Sequence, residues 1–441
     1  MCADPRIRPR HEMLYFAEGS STTVIDEQRA AALLDALLAR FDRLDRVLLL
    51  PPDATRGASW AGELTVMLYQ RLRERAHVEI MPALGTHASM TDQEIAAMFA
   101  GVQLNAFRVH DWRRDVIRLG EVPGEFVHRV TNGRLDYAVP CEINRTLVEG
   151  KWDRIISIGQ LVPHEVVGIA NHNKNIFVGT GGAETINKTH FIGAVCDMER
   201  IMGRPRSPVR DVLDYMSKHF AAALPISYLL TVRASDDAGR LVTRGLYAGD
   251  DDACFHAGAE LCQQVNLDLL DEPLGNVVVY LDPREFKSTW LGNKAIYRTR
   301  MALADNGRLT ILAPGVKTFG EDAEIDRLIR RYGYRGTPHT LQMVERNEDL
   351  RANLSAAAHL IHGSSEGRFS ITYCPASLTR NEIENADFEY ADLDAMLKRY
   401  DPAKLADGPN RLPDGEEVFY VSNPALGLWA LRSQFEDKNR Q

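Results

Sequence analysis

Between Pro163 and His190 the chain places His164, His172, Lys174, Lys188 and His190 within one stretch, with Gly179, Gly181 and Gly182 among them. Imidazoles can serve as acids and bases near neutral pH or as ligands to a transition metal, and a lysine amine can become a nucleophile once it is neutral. Further histidines stand at His87 and His110, and an acid and a base at Asp53 and Arg56. Each of these last four follows a run that reads as a strand. If the strands lie side by side, His87, His110, His164 and His190 can converge on one edge of a sheet. The bland alternative is that they are unrelated side chains, each satisfied locally, with Asp53 and Arg56 merely capping a helix.

Familiar motifs are absent. Gly179-Thr-Gly-Gly-Ala-Glu184 carries Glu where a dinucleotide fingerprint needs its last glycine, and there is no phosphate-loop G-x-x-x-x-G-K-[ST], no H-E-x-x-H and no G-x-S-x-G. The six cysteines contain no C-x-x-C pair, so neither a thiolate metal site nor a disulfide framework is indicated. The formal net charge of −9 argues against nucleic acid as a partner. No run reaches the roughly 18 apolar residues of a membrane span, and the N-terminus lacks a signal-peptide core. The expectation is a cytoplasmic protein working on a small molecule, with no nucleic acid and no membrane.

The elements that must hold these side chains alternate between strand and helix. Arg46–Leu50 reads as a strand that runs into Pro51-Pro-Asp-Ala-Thr-Arg56, followed by a helix from Trp60 to Arg75. Val78–Pro82 leads into the His87 loop, and Thr91-Asp-Gln-Glu94 is a capping box that opens the next helix. Phe107–Val109 reads as a short strand ending at His110. Arg154–Ile158, β-branched and apolar, reads as a strand covered on both faces, so the Lys174 segment starts at a strand's carboxyl end, where open α/β sheets bind ligands. Helices are expected over 183–200, 211–222, 292–304 and 324–332, the last stopped by Gly333, and a strand over 226–232. A break near residues 267–275 divides the chain at 441 residues into an N-terminal cofactor-binding and catalytic domain (1–270) and a C-terminal α/β domain (271–441). In the second, Lys287, Lys294, Arg298 and Arg300 form a basic cluster able to hold a phosphate or carboxylate.

Asp53-Ala-Thr-Arg56, Ala83-Leu-Gly-Thr-His-Ala-Ser-Met-Thr91, His110-Asp111, Pro163-His164, Lys174 and His190 occur in an order, with gaps of ten (His164 to Lys174) and sixteen (Lys174 to His190), that resembles the nickel-dependent lactate racemase (LarA) family. The resemblance implies two α/β domains with mainly parallel sheets and an active-site cleft between them. It implies a nickel-pincer nucleotide, a pyridinium-3-thioamide-5-thiocarboxylic acid mononucleotide, bound covalently at Lys174, with His190 as the protein's ligand to nickel. His110 and His164 correspond to the catalytic acid/base pair that inverts C2 of a 2-hydroxy acid by reversible hydride transfer. Asp53, Arg56, His87 and Lys294 correspond to positions that contact cofactor and substrate.

The chain departs from that family at Ala170-Asn-His-Asn173, where Ser-Gly-Gly-Arg is usual, at Ala88 in place of Arg, and at Leu291 in place of Gln. The added polar groups of Asn171, His172 and Asn173 incline the reading toward a sugar acid such as gluconate over lactate, unless they only repack the lysine loop. Two other functions compete: a metal-dependent lyase, dehydratase or aldolase with His87, His164 and His190 as ligands and Lys174 as base, and a non-catalytic protein that binds the nucleotide.

Overall fold

The computed structural model describes residues 13–236 and 238–437. They fall into two compact units, one of residues up to Thr189 together with Gly203–Val265, the other of His190–Met202 and the chain from Asn266. The sequence reading had a single break after residue 270. The helix Ala183–Val195 therefore starts in the first unit, and its residues from His190 onward belong to the second.

The first unit is built on a six-stranded sheet in the order Leu14–Gly19, Leu241–Gly249, Ile226–Ser235, Arg154–Gln160, Arg46–Leu50, His77–Ile80. The last four are parallel, and the two at the other edge are antiparallel. The three strands that lead into Asp53, His87 and His164 thus end at one edge. Arg154–Gln160 is buried along almost its whole length, as its unbroken apolar run requires. One face is covered by the helices Glu27–Leu38 and Ala61–Leu72, whose Leu34, Leu37, Leu64 and Leu68 pack on Val47, Leu49, Ile156 and Ile158. At about 1.5–3 kcal/mol for each fully buried leucine, this layer is a principal source of the unit's stability. Asp26 caps the first helix by accepting from the Arg29 N–H, and Thr91–Glu94 forms the expected capping box on Asp92–Met98.

The second unit carries another six-stranded sheet, ordered Glu389–Tyr390, Ser370–Pro375, Leu303–Ala313, Leu274–Tyr280, Glu417–Val421, Gly408–Arg411, parallel except for the last. Both units are α/β with mainly parallel pairing.

Three local expectations are corrected. Phe107–Val109 forms no strand, because a 3-10 turn at Leu104–Ala106 leaves only a bridge from Phe107 to Ile80. The residues 267–275 are no plain linker, since Leu267–Leu270 pairs in parallel with Leu428–Leu431. The helix expected from Gly292 to Ala304 is interrupted at Asn293 and stops at Thr299, and Leu303 begins the next strand.

Candidate functional site

The loop after Arg46–Leu50 opens with Asp53, which is buried and caps the 3-10 turn Ala54–Ser59 by accepting from the Thr55 N–H at 3.2 Å. Its other carboxylate oxygen accepts from Nδ1 of His87 at 2.6 Å, so two loops from adjacent parallel strands are joined by one hydrogen bond. Burial would raise the Asp53 carboxyl, but the His87 hydrogen bond and charge, Thr55 and Arg56 together hold it below the usual carboxylate value. Arg56, in the same turn, makes no hydrogen bond or ion pair with a described side chain and is only partly buried. It is a guanidinium available to an anion.

The segment after Arg154–Gln160 is folded tightly. Pro163–His164 pairs with Gly168–Ile169 in a small hairpin, and Nδ1 of His164 accepts from the Val166 N–H at 3.1 Å. That bond puts the ring's proton on Nε2. Asn171 and His172 follow with φ of 65° and 58°, in left-handed conformation, and Lys174 comes next on the short helix Asn173–Phe177. Asn175 on that helix donates to the Leu50 carbonyl at 3.1 Å and to Ser157 Oγ at 3.0 Å, which ties it to the ends of two parallel strands. Gly159 must be glycine here, since a Cβ would stand 1.7 Å from the amide nitrogen of Asn171.

The Lys174 amine is pushed down to about 8, first by burial and then by the charge of Arg56, with Glu165 and Asp53 partly opposing. Asp53, Arg56, Glu165 and Lys174 therefore share one electrostatic environment. Of these, Asp53, Arg56 and Lys174 were sequence candidates and Glu165 was not.

The glycines Gly179, Gly181 and Gly182 do not cradle a phosphate. They allow the turn to lie against the strand Val139–Asn144: Gly181 bridges Ile143, and a Cβ on Gly182 would meet the Glu142 carboxylate at 2.3 Å. The Gly179 carbonyl accepts from Gly85 at 2.8 Å, joining the His87 loop to the lysine segment. His110 is buried and meets the same turn, with Nε2–H donating to the Gly181 carbonyl at 3.1 Å. Its Nδ1 accepts from Asn144 Nδ2 at 3.0 Å. The Asn144 amide is oriented by its own oxygen, which accepts from the Thr146 N–H, so the tautomer of His110 is fixed. Burial lowers the His110 pKa against the pull of Gly181, Asp115 and Asp111, and the ring is neutral near pH 7.

Other sequence candidates are placed differently. Lys188 is committed to the Ala138 carbonyl and Glu184. His172, Asn171 and Asn173 turn into the protein: His172 stacks on Tyr228 with ring centres 3.9 Å apart and donates through Nε2 to the Asp251 carbonyl. The Asn173 amide is held between Arg210 and Asp214. They repack the lysine loop, and the argument from them for a sugar acid falls away. In the second unit, Lys294 lies over the Phe286 ring at 5.5 Å and His190 is partly buried on Ala183–Val195. The basic cluster around Lys294 is not one, because Arg298 is buried and donates to the Ala425 and Gly427 carbonyls, and Arg300 is paired with Glu199. No group of three or more His, Cys, Asp or Glu side chains placed to hold a metal occurs among the described residues. No helix among them is long and apolar enough to cross a membrane.

Reasoning from sequence missed Asn144, Glu165 and Arg210. Asn144 was legible in part, as a helix-capping residue type at a strand's end. The other two act through contacts distant in sequence.

The fold is that of an α/β protein in which a lysine whose pKa burial lowers follows the carboxyl end of a parallel strand. Residues 31–202 match the profile of the lactate racemase N-terminal domain. That part of the chain is similar to the lactate racemase N-terminal domain. Among solved structures, a Thermotoga maritima protein superposes with a TM-score of 0.80 at 22% identity, covering 92% of this chain and 99% of the other. The lactate racemase apoprotein from Thermoanaerobacterium thermosaccharolyticum superposes at 0.66 with 18% identity, covering 95% and 94%. These two likenesses establish the fold. No curated protein matches the sequence.

Proposed function

We propose that the chain is a racemase or epimerase that inverts C2 of a 2-hydroxy acid with a nickel-pincer nucleotide carried on Lys174. The observation that carries this reading is the Lys174 amine, pushed down to about 8 beside Arg56 and Asp53 at the end of a parallel sheet. A neutral amine is what covalent attachment to an acyl or thioacyl group demands. In the first unit, Lys174 would bear the group and Arg56 would meet an anionic substituent. When bound, that cofactor supplies a hydride acceptor.

The protein's own part is proton transfer and positioning. Burial favours the neutral ring of His110, the form that accepts a proton from a hydroxyl group, and His164 is the second candidate base. In His164 the Val166 N–H holds Nδ1, so to act as a base at Nε2 the ring would first move its proton to Nδ1 and release that N–H. His110 holds both ring nitrogens in hydrogen bonds, so a substrate must displace either Asn144 or the Gly181 carbonyl to use it. Asp53 orients His87 through its Nδ1, and Arg56 acts on the amine by its charge. An imidazole base on each face of C2 is the requirement for inversion in both directions.

The test is co-expression with the enzymes that make the pincer nucleotide, followed by intact mass, metal content and chiral analysis of a panel of 2-hydroxy acids. One adduct and about one nickel per chain, absent in Lys174→Ala, with C2 inversion lost in His110→Ala and His164→Ala while nickel stays bound, is the expected result. An unmodified, nickel-free protein in the presence of the made cofactor would refute the assignment. Inversion-inactive protein that loads normally would point to the nucleotide-binding alternative.

A further inference from the structure

We infer that Arg210 is a positioning residue for Lys174, holding the left-handed turn from which that lysine projects. The inference rests on the reading of Lys174 as the cofactor-bearing amine. Arg210 comes from the helix Pro208–His219 and is 2% exposed. Its Nη2 donates to the Ile169 carbonyl at 2.6 Å, and its Nη1 to the Asn171 carbonyl at 3.3 Å and to Asn173 Oδ1. One planar guanidinium thus grips the backbone before the turn, within it, and the side chain that follows it.

The turn needs such a grip. Asn171 and His172 are consecutive non-glycine residues at positive φ, and the helix that carries Lys174 has no side-chain cap at His172. The Asn173 amide works as a bridge: its oxygen accepts from Arg210 and its nitrogen donates to Asp214 at 2.6 Å and Ser217 at 3.3 Å, both on the Arg210 helix. Neither orientation of the amide other than this one satisfies an arginine on one side and a carboxylate on the other. Ser207, which caps the same helix, donates to the Val167 carbonyl at 3.2 Å, and Arg210 lies 4.3 Å over the Phe255 ring, on which His172 is stacked. The whole helix N-terminus is therefore fitted to residues 167–173. Arg210 touches no reacting group itself and acts through the turn; its charge adds to that of Arg56 in disfavouring the Lys174 ammonium.

The test reads the lysine directly, in protein without cofactor. Lys174 in wild type, Arg210→Met, Arg210→Lys and Asn173→Ala is labelled with an amine-reactive anhydride across pH, quantified by peptide mass, and amide exchange of residues 171–175 is followed. If Arg210 positions the turn, the labelling midpoint of Lys174 rises in all three variants by about one pH unit or more, a roughly tenfold loss of neutral amine below the midpoint, and residues 171–175 exchange faster. Arg210→Lys belongs with the others because one ammonium cannot span three separated acceptors. Unchanged midpoints in Arg210→Lys and Asn173→Ala overturn the inference, whether or not Arg210→Met shifts, since a shift there alone reports only lost charge. Should Arg210→Met fail to fold, the other two variants decide. Cofactor loading of the wild type by intact mass is scored separately, so a failure of the racemase reading leaves this outcome legible.

Discussion

Replacing Lys174 with methionine should stabilise the cofactor-free protein at neutral pH. The folded protein holds the amine down to about 8, whereas an unfolded chain leaves it near its ordinary 10.5. A lowered lysine pKa means that the folded state binds this proton less well than the unfolded state, so stability rises as pH climbs from about 8 to 10.5 and the penalty is complete below 8. A difference of about 2.5 units corresponds to about 3.4 kcal/mol. Because the Lys174 residue is only partly buried, about 2–3 kcal/mol is the expected gain for Lys174→Met at pH 7. Methionine keeps the length and apolar stem while removing the charge. Urea unfolding of both proteins at pH 7 and at pH 10.5, followed through a probe in the first unit, measures it. The gain should shrink toward zero at the higher pH. A variant less stable than wild type at pH 7, or a gain that does not change with pH, would refute the argument that Lys174 sits as a strained, readily neutral amine. The same strain is what makes the residue a nucleophile, so the stabilised variant must also be unable to acquire cofactor.

Three further outcomes are expected. Burial, reinforced by Asp252 and only partly offset by Arg210 and the Asn173 bond, raises the Asp214 carboxyl to about 6. Its stabilising contribution is present below the ordinary value of 3.8 and lost as pH rises through about 6, so Asp214→Asn, which can still accept from Asn173, should gain about 1–3 kcal/mol at pH 7.5 and almost nothing at pH 4 by denaturant titration. Asn144→Ala should free the His110 ring and lower kcat by about ten- to a hundredfold with little change in nickel content, because a catalytic base out of alignment loses rate before it loses binding; unchanged kcat would remove Asn144 from the account. In the second unit, Glu199 accepts from Arg300 at 3.1 Å and from Arg368 at 2.8 Å with little exposure. Glu199→Ala leaves Arg300 charged and buried and should cost about 3–5 kcal/mol in thermal or urea unfolding, whereas a cost below about 1 kcal/mol would mean that solvent reaches the pair.

What the sequence determined by itself was local and periodic. The strand Arg46–Leu50, the capping box at Thr91, the helix stopped by Gly333 and the buried run from Arg154 follow from side-chain alternation, helix capping and the left-handed φ of 67° that glycine allows. The strand ends told from which edge the loops carrying Asp53, His87 and His164 leave the sheet. That the glycines at 179–182 make room for the strand Val139–Asn144 was seen only in the fold. Only the tertiary structure decided how the charges were spent. Arg298 and Arg300 looked like an anion site until their carbonyl and carboxylate partners were seen. Asn171, His172 and Asn173 looked like substrate contacts until the helix carrying Arg210 was packed against them. Hydrogen-bond partners lie far away in sequence, and a polar side chain on a loop turns inward or outward according to what a distant element offers it. No local pattern in the chain encodes that choice.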